Sequence, residues 1–186
     1  MQDLNGYRVA ILATDGYERS ELMTPRGTFR EAGAAVDVVS PKSGEIRSWD
    51  QTDWGDTVPV DRDVAGASVD DYDVLVLPGG QINPDKLRLE PKAVGFVADF
   101  AATGKPLAAI CHGPWMLVEA DVIRGRAVTS YPSIRTDLVN AGAEWTDQPV
   151  VTDGTLITSR NPGDLAAFCA AIADAVTESA AVKRSA

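Results

Sequence analysis

A chain of 186 residues is the size of one domain, and it can bury a substantial core without disulfide or metal staples. Seventeen Lys+Arg against 27 Asp+Glu leave a net charge of -10, which repels phosphate backbones and argues against nucleic-acid binding. A single histidine and two cysteines far apart in sequence argue against a zinc site or a disulfide framework and suit a reducing compartment.

Residues 1–7 lack the basic start of a secretion signal, and the apolar run 9–13 is too short for its hydrophobic segment. No stretch is apolar enough to span a membrane, so the expected location is cytoplasmic. Residues 8–14 form a short, almost continuous apolar run ending at Asp15-Gly16, which suits a strand buried on both faces. A helix is expected over 21–32, stopped by Gly33, and a second strand over 35–40, closed by Pro41. Residues 45–60 are polar and tryptophan-containing, a small β excursion. The acids Asp50, Asp53, Asp56, Asp61 and Asp63 near that segment lack a calcium-loop pattern and read as a solvated surface. A third buried strand covers 73–77, before Pro78-Gly79-Gly80. Residues 91–103 read as helix, 107–110 as strand, 113–120 as helix, 127–130 as strand and 133–141 as helix. Around Asp153-Gly154 a hairpin is expected. The final helix, about 164–177, sets Leu165, Phe168, Cys169, Ile172 and Val176 on one apolar stripe, which makes Cys169 a core residue. Residues 179–186 are expected to fray. Alternating strands and helices imply a mostly parallel sheet covered on both faces, in a single α/β domain over 1–186.

Ligands of such sheets sit outside the carboxyl ends of the strands. Five segments converge there: 15–18, 78–81, Cys111-His112, Ser130-Tyr131 and 160–162. In Ala109-Ile110-Cys111-His112-Gly113 a strand runs into Cys111 and a helix follows, with small residues two before and two after the thiol. That is the pattern of a nucleophile elbow. A helix N-terminus there would favour the thiolate, so Cys111 is expected to ionise below an ordinary thiol. The N–H groups at Gly79 and Gly80, with that of His112, are candidate oxyanion donors. Glu18 either shares a proton with Cys111 or serves as an acid at the helix start. His112 is a candidate general base. Tyr17 and Tyr131 either line the pocket or pack.

The chain resembles the PfpI (intracellular protease I) family of the class I glutamine amidotransferase-like superfamily, which includes the parkinsonism-linked deglycase. The motifs are Val74-Leu-Val-Leu-Pro-Gly-Gly80, Ala109-Ile-Cys-His-Gly-Pro114, Thr129-Ser-Tyr-Pro132, Asp15-Gly-Tyr-Glu-Arg-Ser-Glu-Leu22 and Asn140-Ala-Gly-Ala-Glu-Trp145. The resemblance implies a flavodoxin-like three-layer sandwich, a nucleophile at Cys111 and the family acid at Glu18. It also implies a homodimer or higher oligomer, in which an acid from a neighbouring subunit completes a Cys-His-acid triad. The matching position here is Asp85, where the family more often has glutamate. No cofactor or metal is implied. The expected function is a stress-protective cysteine-dependent hydrolase, peptidase-like or glyoxalase/deglycase-like, acting on a small carbonyl or peptide substrate. The rivals are a redox sensor whose Cys111 is oxidised with little turnover, and a holdase chaperone.

Overall fold

The computed structural model describes residues 2–185, with side chains described for 2–179. Seven strands form the main sheet in the order β11-β12-β8-β7-β1-β3-β6. They are β1 (Arg8–Leu12), β3 (Ala35–Ser40), β6 (Arg62–Asp63), β7 (Val74–Leu77), β8 (Leu107–Ile110), β11 (Val150–Asp153) and β12 (Leu156–Ser159). Every neighbouring pair is parallel except β11 with β12.

The three central strands explain why their sequences are apolar without alternation. Side chains along a strand point to opposite faces. In β1, Val9 and Ile11 enter one core and Ala10 and Leu12 the other. In β7, Val74 and Val76 part from Leu75 and Leu77 in the same way, and in β8 Ala108 and Ile110 part from Leu107 and Ala109. The first core is closed by α1 (Arg19–Glu31) and α6 (Leu165–Ser185), through Leu22, Phe29 and the expected stripe of Leu165, Phe168, Cys169, Ile172 and Val176. The second is closed by α3 (Pro91–Ala102), α4 (Trp115–Glu119) and α5 (Arg135–Asn140), through Phe96, Phe100, Met116, Leu117 and Leu138. The result is a three-layer sandwich of the flavodoxin-like kind.

Three segments depart from the simple βα rhythm. The polar stretch 45–60 is a hairpin of β4 (Glu45–Asp50) and β5 (Asp53–Pro59), which β2 (Tyr17–Glu18) joins to make a separate three-stranded sheet. Asp15 pins this hairpin to the end of β1, accepting the Arg47 N–H at 2.8 Å and pairing with Lys42 at 2.8 Å. The strand expected over 127–130 shrinks to β9 (Ala127–Val128), paired only with β10 (Glu144–Trp145). Beyond Val128 the chain turns away because Thr129 N–H is taken by the Thr158 hydroxyl, at 2.9 Å. The short α2 (Ile82–Leu87) was not expected; it opens directly after the glycine pair. The last helix, expected to end near 177 before a frayed tail, runs on as α6 to Ser185.

Candidate active site

Cys111 follows the last residue of β8 and adopts φ 62, a left-handed backbone that non-glycine residues rarely take. Three contacts hold it there. Its N–H donates to Ser159 O at 3.0 Å, its carbonyl accepts from Tyr131 N–H at 2.9 Å, and Gly113 N–H closes the turn onto Ile110 O at 2.8 Å. A side chain at Gly113 would run into the backbone of Leu77 and Ile110, so the small residue two after the thiol is a packing requirement. Strain at this position serves to aim the sulfur out of the sheet and into a cavity of about 380 Å³.

The glycine pair faces the sulfur. At Gly79 a Cβ would lie 2.8 Å from Cys111 Cβ and 2.8 Å from His112 N. Gly80 has φ 77, and a Cβ there would sit 2.5 Å from Gly16 O and 2.7 Å from Glu18 N. Its backbone N–H and that of His112 lie on the sulfur side and favour the charged form of Cys111. The loop is tied from below by Asn83, which is fully buried and escapes notice in sequence. Asn83 Oδ1 accepts Thr14 N–H at 2.7 Å, while its amide donates to Pro78 O at 2.9 Å and Gly79 O at 3.3 Å. Gly80→Ala should therefore lower stability by roughly 2–4 kcal/mol and cut turnover at least tenfold, since the clash is with backbone and no rotamer relieves it. Urea unfolding within experimental error of wild type would contradict that.

The acid beside the thiol is Glu21, not Glu18. Glu18 takes its helix-start role: its Oε2 accepts the Glu21 N–H at 2.8 Å and the Ser20 hydroxyl at 2.6 Å, capping α1. One turn further, Glu21 is completely buried. Its Oε2 accepts Gly79 N–H at 2.8 Å, and the carboxyl lies close enough to the Cys111 thiol for each to shift the other's titration. Oε1 is buried without a hydrogen-bond partner among the described residues. Burial and the charge of Glu18 push Glu21 up to about 8. Burial and the charge of Glu21 push the Cys111 thiol up, against the pull of the Gly80 and His112 N–H groups. This reverses the expected depression of the thiol. Cys111 is only 6% exposed, and α4 starts at Trp115 and is one short turn, so its dipole adds little at the thiol. Cys111 and Glu21 titrate as one unit that readily carries one charge and resists a second.

His112 is buried at 4% exposure, and burial lowers its pKa, so the ring is neutral near pH 7. Nδ1 lies 3.2 Å from Cys111 Sγ and Nε2 lies 3.1 Å from Ser133 Oγ. Tyr131 stacks on the ring with centroids 4.9 Å apart, and Trp115 meets it edge-on at 5.3 Å. Tyr131 thus lines the cavity. Tyr17 does not: its side chain is in the first core and only its backbone, in β2, borders the site. Asp85 is exposed on α2, and no hydrogen bond joins it to His112 among the described residues. The hairpin adds Trp49 and Gln51 to the cavity wall, and Gln81, Ile82 and Pro162 complete it. Among the described residues no lysine or arginine lines this cavity.

The chain matches the DJ-1/PfpI family over residues 7–175. It is 45% identical to a deglycase of Pyrococcus abyssi over 87% of this chain and 94% of that protein. It is 43% identical to protein/nucleic acid deglycase 2 of Escherichia coli, over 87% of this chain and 92% of that protein. The crystal structure of Drosophila melanogaster DJ-1beta superposes with a TM-score of 0.81 at 30% identity, covering 96% of this chain and 95% of that one.

Proposed function

The chain belongs to the DJ-1/PfpI family, and from that premise we propose that it is a stress-protective cysteine hydrolase of the deglycase type, acting on carbonyl adducts of amines. The observation that carries this reading is the sulfur of Cys111 set between His112 Nδ1 and two backbone N–H groups at the wall of one cavity. In the reaction, Sγ adds to the carbonyl carbon of the adduct while the thiol proton passes to the neutral His112 Nδ1. The carbonyl electrons move to oxygen, and the Gly80 and His112 N–H groups that face the sulfur hold that oxyanion. The amine leaves from the neighbouring carbinol carbon: its C–N bond breaks as the carbinol hydroxyl becomes C=O, and the imidazolium proton of His112 goes to the amine. The hydroxyl proton goes to the oxyanion, and collapse of the thiohemiketal returns the Cys111 thiol and frees the dicarbonyl. Glu21 keeps its own proton near neutral pH and limits the thiol–carboxyl pair to one charge.

The lining favours protein adducts as the substrate. Glu18 borders the cavity, Glu21 beside it is protonated near neutral pH, and among the described residues no cation lines the wall, which suits a neutral or cationic side chain better than a phosphate. The net charge of -10 acts in the same direction. The Escherichia coli relative is named for nucleic acid as well as protein, so the expected lack of nucleic-acid substrates is narrowed to a preference. Among the described residues no helix is long and apolar enough to cross a membrane, and we place the activity in the cytoplasm. Self-association into a homodimer or higher oligomer belongs to the same proposal. Leu89, 80% exposed just after the Asp85 helix, is the apolar residue that a second copy would cover. An Asp85 carboxylate arriving from that copy would have to share His112 Nε2 with Ser133.

The test is release of free amine from methylglyoxal-treated N-acetylarginine and N-acetyllysine, with a methylglyoxal-treated nucleotide and a fluorogenic peptide as further arms. Wild-type protein should release amine, and Cys111→Ser should lose at least about a thousandfold of kcat/KM. A Cys111→Ser protein that keeps its turnover would remove the proposal. Peptide cleavage with the adducts untouched would replace it with the peptidase reading.

A further inference from the structure

The second ring nitrogen of His112 has a partner that the reaction above does not use. Ser133 Oγ lies 3.1 Å from Nε2, on the side of the imidazole away from the thiol. Ser133 belongs to the single turn Pro132–Ile134, and that turn is fastened to the nucleophile itself. Tyr131 N–H donates to Cys111 O at 2.9 Å, Ile134 N–H donates to Tyr131 O at 3.2 Å, and the Tyr131 ring stacks on His112 at 4.9 Å. Cys111, His112 and Ser133 are thus held in one piece by the elbow and the turn that leans on it.

We propose that Ser133 is a positioning residue that accepts the Nε2–H of His112 and so presents the Nδ1 lone pair to the Cys111 thiol. The inference rests on the reading of His112 as the base for Cys111. A neutral imidazole carries one N–H, and whichever nitrogen holds it cannot take a proton. A hydroxyl can donate or accept, and as an acceptor at Nε2 it stabilises the tautomer whose Nδ1 is free to take the thiol proton. A thiol that is to lose its proton to Nδ1 needs a lone pair there, which leaves the hydrogen on Nε2 and makes Ser133 the acceptor. After transfer the imidazolium donates from both nitrogens, and Ser133 already faces it as an acceptor. No hydroxyl has to rotate during the step. The partner lies within one chain, so the ring is oriented without any group from a second copy. A hydroxyl, unlike a carboxylate, orients the imidazole without adding a charge beside Glu18 and Glu21.

The chain's one histidine makes the test direct. Full-length protein labelled with 15N in histidine gives ring-nitrogen shifts from His112 alone, and these report which nitrogen is protonated in the neutral form. Wild type should show the Nε2–H tautomer. Ser133→Ala should bring up the Nδ1–H tautomer and lower kcat by about tenfold, the size of one hydrogen bond, with KM changed less than twofold. Ser133→Thr keeps the hydroxyl and should restore both. Asp85→Ala should leave the shifts as they are. An Nδ1–H tautomer in wild type, a Ser133→Ala spectrum unchanged from wild type, or a tautomer that follows Asp85 instead would each overturn the proposal. If the tautomer follows Ser133 while no amine is released from any adduct, the positioning role stands and the deglycase reading falls.

Discussion

Glu21→Gln should stabilise the folded protein relative to wild type, and only at high pH. Glu21 has an ordinary value of 4.5 and is pushed to about 8 in the fold. Between those two values the folded state holds a proton that the unfolded state has released. Stability therefore falls as pH rises through that window, and the penalty is complete above about pH 8. Below pH 4.5 the carboxyl is neutral in both states and no penalty exists. The window converts to roughly 3–5 kcal/mol at about 1.4 kcal/mol per pH unit. Glutamine keeps the acceptor for Gly79 N–H and cannot ionise, so the variant escapes this cost. It also spares the Cys111 thiol a neighbouring like charge. Urea unfolding of both proteins at the two ends of the window measures the difference of differences. An advantage for Glu21→Gln that is the same at both ends would mean that Glu21 ionises at its ordinary value in the fold and that no proton is held beside the sulfur across the window.

That carboxyl also shows where sequence reasoning lost its way. The motif Glu18-Arg19-Ser20-Glu21 offers two acids three residues apart, and the motif match fell on the first. Helix phase distinguishes them. Glu21, Pro25 and Phe29 recur every four residues and all lie on the buried face of α1, whereas Glu18 stands before the helix as its cap. An acid on an apolar stripe is the signal that was available. The three central strands, the elbow and the core position of Cys169 were legible because each depends on local pattern: uninterrupted apolar runs, small residues two before and two after a thiol, a stripe at helical spacing. The pKa of Cys111 was not legible. It depends on how deeply the sulfur is buried and on how short α4 is, and both follow from packing across the sheet. Ser133 meets His112 from the turn Pro132–Ile134, and Trp49 and Gln51 reach the cavity from the β4–β5 hairpin, so spacing carries no trace of them. Asn83 was hidden for a different reason: in Ile82-Asn83-Pro84-Asp85 it reads as a turn residue, and its three bonds go to segments 69, 5 and 4 positions away.

Asn83→Ala should damage stability and catalysis together, and by more than any exposed substitution near the cavity. The side chain is fully buried and links the end of β1 to the Pro78-Gly79-Gly80 turn. Its loss leaves the Thr14 N–H and the Pro78 carbonyl without these partners, while the Gly79 carbonyl keeps the Glu18 N–H at 3.2 Å. At about 1–3 kcal/mol for each of the two orphaned buried groups, the cost is roughly 2–6 kcal/mol. Asn83→Asp keeps the acceptor for Thr14 N–H but sets a carboxylate against the Pro78 carbonyl, so it should recover none of the loss. The catalytic effect follows from the same bonds. Asn83 fixes the loop whose next residue, Gly80, aims its N–H at the sulfur. A released loop loses one oxyanion donor, which costs about a hundredfold in kcat with a smaller change in KM. Unfolding curves and amine-release kinetics of Asn83→Ala, measured where the variant is still fully folded, separate the two effects. A variant as stable as wild type would show that the loop does not depend on Asn83. A fully folded variant with wild-type kcat would show that Gly80 reaches the sulfur, or the oxyanion, without it.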